Sequence, residues 1–222
     1  MNDANLDIAV PFASAGVFTH QGQVCIAASR LYVQSGIYDE FVKRAVAVAK
    51  SRVVGDPKDP KTHNGPQIDG DMMQKVLGYI EKGKQEGAKL LTGGKRIGSE
   101  GYYIEPTVFS EVQDNMTIAK EEIFGPVQSI LKFDTLEEVI DRANNTNYGL
   151  AAGIFTTNVE NALQFSKHIE AGIVWVNTYF SMSPQIPFGG FKESGLGREN
   201  GLAAVEAYLE VKSVAFSLPK KL

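Results

Sequence analysis

The sequence predicts an α/β fold in which helices flank a largely parallel sheet. Segments with strand patterns alternate with segments that repeat apolar residues at helical spacing, an order typical of parallel sheets. Ile173 to Val176 is apolar without a break, as strands buried on both faces are. Of the 222 residues, 43% are hydrophobic and 22% are charged, proportions that suit a globular protein with a substantial core.

Five segments have the apolar spacing of helices that pack one face on a core. Thr135 followed by Glu138 predicts a capping box, and Asn158 predicts an N-cap. The third helix is expected to end before Gly83 or Gly87. The predicted helices are Leu6 to about Phe18, Ile37 to Lys50, a segment around Met73, Leu77 and Ile80, a segment with Leu136, Val139, Ile140 and Ala143 on its inner face, and Asn158 to His168.

The strand predictions come from short apolar runs bounded by turn residues. Tyr208 to Ser217 alternates as a long last strand, and no helix follows it. A terminal strand of this kind is a candidate for pairing with another chain. We therefore expect a main domain at 1–204 and an oligomerisation strand at 205–222. The other predicted strands are Arg30 to Val33, Lys89 to Leu91, Val127 to Phe133, Ala151 to Phe155, and Ile173 to Val176.

Composition and charge argue against several classes of protein. The net charge is −4 and no block of Lys or Arg is present, so nucleic acid is not an expected partner. No apolar run is long enough to span a bilayer, so no membrane association is expected. A single cysteine predicts a reducing, cytoplasmic compartment. His20, His63 and His168 lack metal-ligand spacing, and no metal is predicted.

Cys25 is the only cysteine and follows Gly22 in a stretch of small and polar residues. Open surroundings of this kind suit a thiolate that attacks a substrate. The alternative is a buried cysteine that acts as a small hydrophobic residue. A Cys–His protease pair with His20 is disfavoured, because residues five apart rarely point together.

Three further segments carry candidate site residues. Glu121 to Pro126 joins two carboxylates to an aromatic residue and a Gly-Pro turn; a helix end with solvated acids is the alternative. Pro187 to Arg198 is rich in glycine and suits a pocket lining as well as an ordinary irregular loop. Trp175 to Tyr179 lies at the carboxyl end of a predicted strand, where α/β proteins place ligands.

Together these segments resemble the aldehyde dehydrogenase superfamily. Phe18 to Ala27 is similar to its cysteine signature, and Lys120 to Pro126, Trp175 to Asn177 and Pro187 to Arg198 resemble its later motifs in the same order. The class 1 and class 2 enzymes, which include retinal dehydrogenases, are the nearest in pattern. Family members are about twice as long, so the resemblance implies the C-terminal catalytic portion. In the family a preceding segment carries most of the cofactor domain, a glutamate base and an asparagine at the oxyanion.

The resemblance also implies a reaction. Cys25 would attack an aldehyde to form a thiohemiacetal, hydride would pass to NAD or NADP, and water would hydrolyse the thioester. Met72 stands where relatives often have Gln, and Val24 where close relatives often have a second cysteine. The implied roles are catalytic for Cys25 and Glu199, cofactor-binding for Glu122, Phe124 and Lys75, substrate-binding for Asn177, Met182 and Phe188, and interface-forming for Arg198 and Glu210.

We therefore expect the catalytic domain of an NAD(P)-dependent aldehyde dehydrogenase, with weak cofactor binding and weak activity for this chain alone. The expected partners are an aldehyde and either further copies of the chain or an N-terminal half supplied in trans. A non-enzymatic oligomerising or interaction module is the alternative. Because a targeting segment could precede these residues, a mitochondrial compartment stays open.

Overall fold

The computed structural model describes residues 1–218. Short 3-10 turns occupy Thr19–Gly22 and Ser35–Ile37. The helices are α1 (Leu6–Phe18), α2 (Tyr38–Ser51), α3 (Gly70–Gln85), α4 (Thr117–Lys120), α5 (Leu136–Asn144), α6 (Val159–His168) and α7 (Gly201–Glu206). The strands are β1 (Arg30–Gln34), β2 (Lys89–Thr92), β3 (Thr107–Ser110), β4 (Val127–Phe133), β5 (Tyr148–Gly149), β6 (Ala151–Ile154), β7 (Ile173–Val176) and β8 (Phe191–Lys192).

The predicted α/β class with a largely parallel sheet is confirmed. The main sheet has the order β1-β4-β3-β2, with β1, β4 and β3 parallel and β2 antiparallel at one edge. A second, two-stranded sheet pairs β6 with β7 in parallel. The two-residue strands β5 and β8 form an antiparallel pair. The parallel arrangement therefore spans two separate sheets.

Helices cover both faces of the main sheet. The central strands send alternate side chains to opposite sides, so each face contributes its own apolar cluster. Val108 and Ile130 are fully buried in one apolar cluster with α1 and α2. Phe109 and Leu131 are fully buried in a second cluster with α3 and α4. A smaller third cluster lies under α5, α6 and β6. This layering explains why every residue of β3, and every residue of β4 except Lys132, is buried.

The predicted helix caps are confirmed. The Thr135 hydroxyl accepts from the Glu138 N–H and the Glu138 carboxylate accepts from the Thr135 N–H, which forms the capping box of α5. The Asn158 side chain accepts from the backbone N–H groups of Glu160 and Asn161 at the start of α6. The third predicted helix, α3, continues through Gly83 to Gln85 and stops before Gly87. Gly87 has a φ of +97°, which favours glycine.

The strand predicted at Tyr208 to Ser217 is not formed in this chain. Residues 209–218 have no regular secondary structure, and Val211 and Phe216 are almost fully exposed. A strand needs a neighbour to satisfy its backbone N–H and C=O groups, and none of the described strands pairs with this segment. The end of the predicted arm, 219–222, lies outside the described residues.

No helix within residues 1–218 is long and apolar enough to cross a membrane.

The short elements β5, β8, α4 and α7 are absent from the sequence prediction, as is β3. Elements of two to six residues are too short to show a reliable period, and β3 follows a Glu-Pro step that reads as a loop.

Asp3 ties the start of the chain to the loop between β6 and α6. Its carboxylate accepts from the Thr156 hydroxyl at 2.7 Å, from the Thr157 N–H at 2.8 Å and hydroxyl at 2.9 Å, and from the Asn158 N–H at 2.9 Å. Burial alone would raise the pKa of Asp3, but these hydrogen bonds outweigh it and lower the pKa to about 2.

Replacing Asp3 with Asn is expected to lower the free energy of unfolding at neutral pH. Because the folded pKa lies below the unfolded value of about 3.9, the stabilisation is present above that value and is lost as the pH falls towards 2. Urea unfolding of both proteins at several pH values measures this. A stability difference that stays constant between pH 5 and about pH 2 would contradict the assignment.

Candidate active site

Cys25 lies in an irregular segment between the end of α1 and the start of β1. Its thiol is free and exposed. The turn before it is left-handed at three consecutive residues, with φ of +50° at His20, +58° at Gln21 and +72° at Gly22. A left-handed conformation costs a residue with a Cβ atom about 1–2 kcal/mol. The surrounding contacts must therefore hold this turn in place.

Gly22 joins the cysteine segment to the Glu121–Pro126 segment. A Cβ atom built on Gly22 would lie 2.0 Å from the carbonyl oxygen of Gly125, so only glycine permits this approach. Gly125 in turn packs against Val76 of α3, where a Cβ atom would lie 2.4 Å from a methyl group. Two motifs that are about 100 residues apart in sequence are thus in direct backbone contact.

A cleft of about 440 Å³ brings together Cys25, Glu122 and Phe124. It runs between the β1 side of the main sheet and the smaller β6–β7 sheet. Glu122 is exposed, and Phe124 is half-buried with a left-handed φ of +57°. A carboxylate that lines such a cleft can accept hydrogen bonds from ligand hydroxyls.

Helix α3 and the turn after it support the acidic segment. The Tyr79 hydroxyl donates to Glu121 Oε2 at 2.9 Å, and burial together with this hydrogen bond raises the pKa of Tyr79 to about 12. Glu86, which caps the end of α3, accepts from the Thr117 N–H and hydroxyl at 2.6 Å each. Lys75 Nζ lies 5.9 Å from the centre of the Tyr79 ring and is exposed outside the cleft lining. The Glu121 carboxylate therefore accepts a hydrogen bond from Tyr79, whereas the Glu122 carboxylate accepts none from this residue.

The segment after β7 also contacts the cysteine segment, at Ile26. The Tyr179 hydroxyl donates to the carbonyl oxygen of Ile26 at 2.9 Å, and burial raises the pKa of Tyr179. Its ring lies 4.6 Å from that of Trp175, whose Nε1 donates to Ser181 O at 2.9 Å. This hydrogen bond gives the cysteine segment a second support besides the contact of Gly22 with Gly125.

Asn177 has a structural partner in this chain. Its Oδ1 accepts from the Thr156 N–H and its Nδ2 donates to the Thr156 carbonyl, both at 2.9 Å. The amide is committed to the backbone after β6, and Asn177 does not line the cleft. Its predicted part in substrate binding stays a prediction.

The glycine-rich segment Pro187–Arg198 folds against the smaller sheet. Phe188 and Glu199 pair through two backbone hydrogen bonds of 2.7 Å. Gly172 approaches so closely that a Cβ atom there would lie 1.7 Å from Gly189 O. Arg198 Nη1 donates to Gly190 O at 3.0 Å and to Gly197 O at 2.7 Å. These contacts order the loop locally. Glu193 and Ser194 of the loop line the cleft, whereas Phe188 and Arg198 do not.

The structure thus brings three of the predicted site residues together and leaves seven apart. Phe188 and Arg198 are half-buried in the glycine-rich loop, and Glu199 is exposed beside it. Met182 is exposed, and Glu210 is exposed in the segment without secondary structure. Their roles stay predictions, as do those of Lys75 and Asn177.

Sequence reasoning missed Tyr79 and Tyr179 as supports of the site. Tyr79 is four residues after Lys75 on one helix, so helical spacing could have placed both on the same face. Tyr179 ends the Trp175–Tyr179 segment but carries no pattern that predicts its bond to Ile26. Within residues 1–218 no group of three His, Cys, Asp or Glu side chains could hold a metal ion.

Comparisons with known proteins show the family of the chain. The protein-family sequence model described as "Aldehyde dehydrogenase family" matches residues 1–214. Human "Aldehyde dehydrogenase, mitochondrial" is 58% identical over 221 residues, which cover 100% of this chain and 43% of that protein. "Aldehyde dehydrogenase 1A1" of Mesocricetus auratus is 57% identical over 219 residues, which cover 99% of this chain and 44% of that protein.

The same likeness holds in three dimensions. A structure described as the NAD+ complex of an aldehyde dehydrogenase from Bacillus cereus superposes with a TM-score of 0.94 at 45% identity, covering 96% of this chain and 44% of that chain. The chain belongs to the aldehyde dehydrogenase family. It spans less than half the length of these relatives.

Replacing Gly22 with Ala is expected to destabilise the protein by about 2–4 kcal/mol, because a left-handed strain is added to an overlap with Gly125. Gly98→Ala is the matched control, since Gly98 also has a positive φ of +68° but nothing within 4 Å of its added Cβ atom. Denaturant unfolding of both variants measures the difference. Equal losses of stability would show that the contact with Gly125 contributes nothing.

Proposed function

We propose that this chain is the catalytic portion of an NAD(P)-dependent aldehyde dehydrogenase that oxidises an aldehyde to a carboxylic acid. The observation that carries the proposal is the meeting of an exposed Cys25 with Glu122 and Phe124 in one cleft. Membership of the family supports the reaction class. The division into a catalytic domain at 1–204 and an oligomerisation strand at 205–222 is part of the proposal.

Cys25 is the nucleophile in this proposal. Its thiolate sulfur adds to the carbonyl carbon of the aldehyde, a C–S bond forms, and the carbonyl electron pair becomes an alkoxide. Backbone N–H groups near the sulfur would stabilise that alkoxide. After oxidation of the adduct to a thioester, water attacks the same carbon and the C–S bond breaks, which releases the acid and the thiolate. A serine ester at this position would be less reactive towards water.

The residues of the cleft fit a dinucleotide cofactor. The chemistry that NAD supplies when bound is acceptance of the hydride lost by the thiohemiacetal. Glu122 offers an exposed carboxylate for ribose hydroxyls, and Phe124 an aromatic ring beside it. Lys75 would lie near the adenosine end, and the Bacillus cereus relative described as an NAD+ complex supports this cofactor. Glu199, as a proton relay, and Met182, Phe188 and Asn177, as substrate contacts, complete the proposed set.

This chain alone is expected to turn over slowly. The proposal assigns the general base and an oxyanion donor to the segment that precedes the matched region in the longer relatives. A general base contributes about 10²–10⁴-fold and an oxyanion donor about 10²–10³-fold to such rates.

A cytoplasmic location fits the single cysteine, and the name of the human relative makes a mitochondrial location compatible as well.

The first experiment is NADH formation by the purified chain with acetaldehyde and NAD, beside Cys25→Ser. We expect a rate several orders of magnitude below that of a full-length relative, and the rate is expected to vanish in Cys25→Ser because sulfur carries the adduct. Circular dichroism of both proteins checks that they are folded. Turnover retained by Cys25→Ser would contradict the role of Cys25, and full turnover by the unsubstituted chain would contradict the assignment of the general base to a preceding segment.

Oligomerisation through the C-terminal segment is the second part of the proposal. Val211, Val214 and Phe216 are exposed to between 66% and 102% of their full areas, an apolar display that a partner surface would cover. Arg198 and Glu210 are the proposed charged contacts near that interface. The same display favours the alternative that the chain is an oligomerising module without enzymatic activity.

Val214→Pro is expected to convert an oligomer of this chain into a monomer, because proline removes a backbone N–H that a strand pair requires. Val214→Thr is the matched control, since threonine keeps the N–H and the β-branched shape. Light scattering after size exclusion measures the masses. A monomeric unsubstituted chain, or a proline variant with unchanged mass, would contradict pairing through this segment.

A further inference from the structure

We propose that the loop Arg52–Ile68, between α2 and α3, acts as a clasp that positions Cys25 by holding the left-handed turn His20–Gly22. Asn64 is the principal positioning residue of this clasp. The meaning of the clasp for catalysis rests on the proposed role of Cys25 as nucleophile.

Asn64 holds the first side of the turn. Its side chain is 2% exposed, and its Nδ2 donates to the carbonyl oxygen of Phe18 at 2.6 Å. Arg52 Nε donates to Asn64 Oδ1 at 2.7 Å, and the Arg52 guanidinium lies 5.6 Å from the centre of the Phe18 ring. The amide orientation is therefore fixed by Arg52, which leaves Nδ2 as the donor for the last residue of α1.

The far end of the same loop holds the other side of the turn. The Ile68 N–H donates to Gln23 Oε1 at 3.0 Å. Gln67, which is 2% exposed, donates from Nε2 to the Gln21 carbonyl at 3.4 Å. The loop thus contacts the chain at positions 18, 21 and 23, on both sides of the left-handed residues.

The clasp is itself anchored. The Asn64 N–H donates to Val53 O at 3.0 Å, and the Gly55 N–H donates to Asn64 O at 3.0 Å. The Val53 N–H donates to His63 Nδ1 at 3.0 Å. These hydrogen bonds join the two ends of the segment from Val53 to Asn64, so the position of Asn64 relative to the end of α1 is fixed.

Cys25 depends on this arrangement because its own position is set by the backbone on either side. The Gln23 N–H donates to His20 O at 3.0 Å, and the Ala27 N–H donates to Val24 O at 2.9 Å. His20 and Gln21 would leave their left-handed conformation for a more favourable one if the contacts at positions 18 to 23 were lost. The thiol would then lose its fixed place in the cleft, which matters because a nucleophile must be held in near-attack geometry.

Since Cys25 is the only cysteine, a nitroxide attached through a methanethiosulfonate reports on this position alone. Asn64→Asp keeps the volume and the contact with Arg52 but places a carboxylate oxygen where Nδ2 donates to Phe18 O. In this variant we expect the immobilised fraction of the electron paramagnetic resonance spectrum to fall by roughly half. Arg52→Lys, which loses the planar Nε donor, is the second variant and is expected to change the spectrum in the same direction.

Thr135→Ala is the control, because it removes the capping box of α5 and lowers stability without touching the clasp. Its spectrum is expected to match that of the unsubstituted chain, and circular dichroism confirms that each variant is folded. Unchanged spectra in the folded Asn64 and Arg52 variants, or an equal change in Thr135→Ala, would overturn the proposal. The measurement needs neither aldehyde nor cofactor, so a failure of the proposed enzymatic function leaves its result unaffected.

Discussion

The approach of Gly22 to Gly125 is the constraint on which the site depends. A carbonyl oxygen occupies the space where any other residue would carry its Cβ atom, so only glycine at position 22 lets the cysteine segment lie this close to Gly125. Because Gly125 follows directly after Phe124, the same contact sets the distance between the thiol and the acidic segment. The core of the main sheet thus determines the geometry of the cleft through backbone contacts rather than through long side chains.

Close backbone contacts recur wherever two motifs meet. Gly172 receives Gly189 of the glycine-rich loop, and Gly16 and Gly153 leave room for the ring of Tyr179 beneath the cysteine segment. The paired residues in these contacts are 17 to 163 positions apart in sequence. The motifs of the family therefore serve two purposes, since some of their residues carry chemistry and others permit the approach of neighbouring backbone.

Most of the regular elements could be predicted because their information is local. The capping box at Thr135 and the N-cap at Asn158 are each specified by a few consecutive residues at the start of a helix. Tyr208 to Ser217 also has a clear strand pattern, but a strand forms only beside a partner, and no local pattern supplies one. Asn64 could not be found at all, because its importance comes from a hydrogen bond to Phe18, 46 residues away. Grouping Cys25 with Glu122 required the resemblance to a family.

The strands β1 and β6 have a consequence for the cleft as a solvent environment. Each lies at an edge of its own sheet, and residues of both strands border the same cleft. The walls of the cleft therefore include main-chain donors and acceptors that sheet pairing leaves unused on one side of each strand. Water or an extended peptide segment can form hydrogen bonds with these groups, whereas a purely apolar occupant would leave them without hydrogen-bond partners. An occupant that lies along these strand edges must therefore supply hydrogen-bonding groups as well as apolar surface.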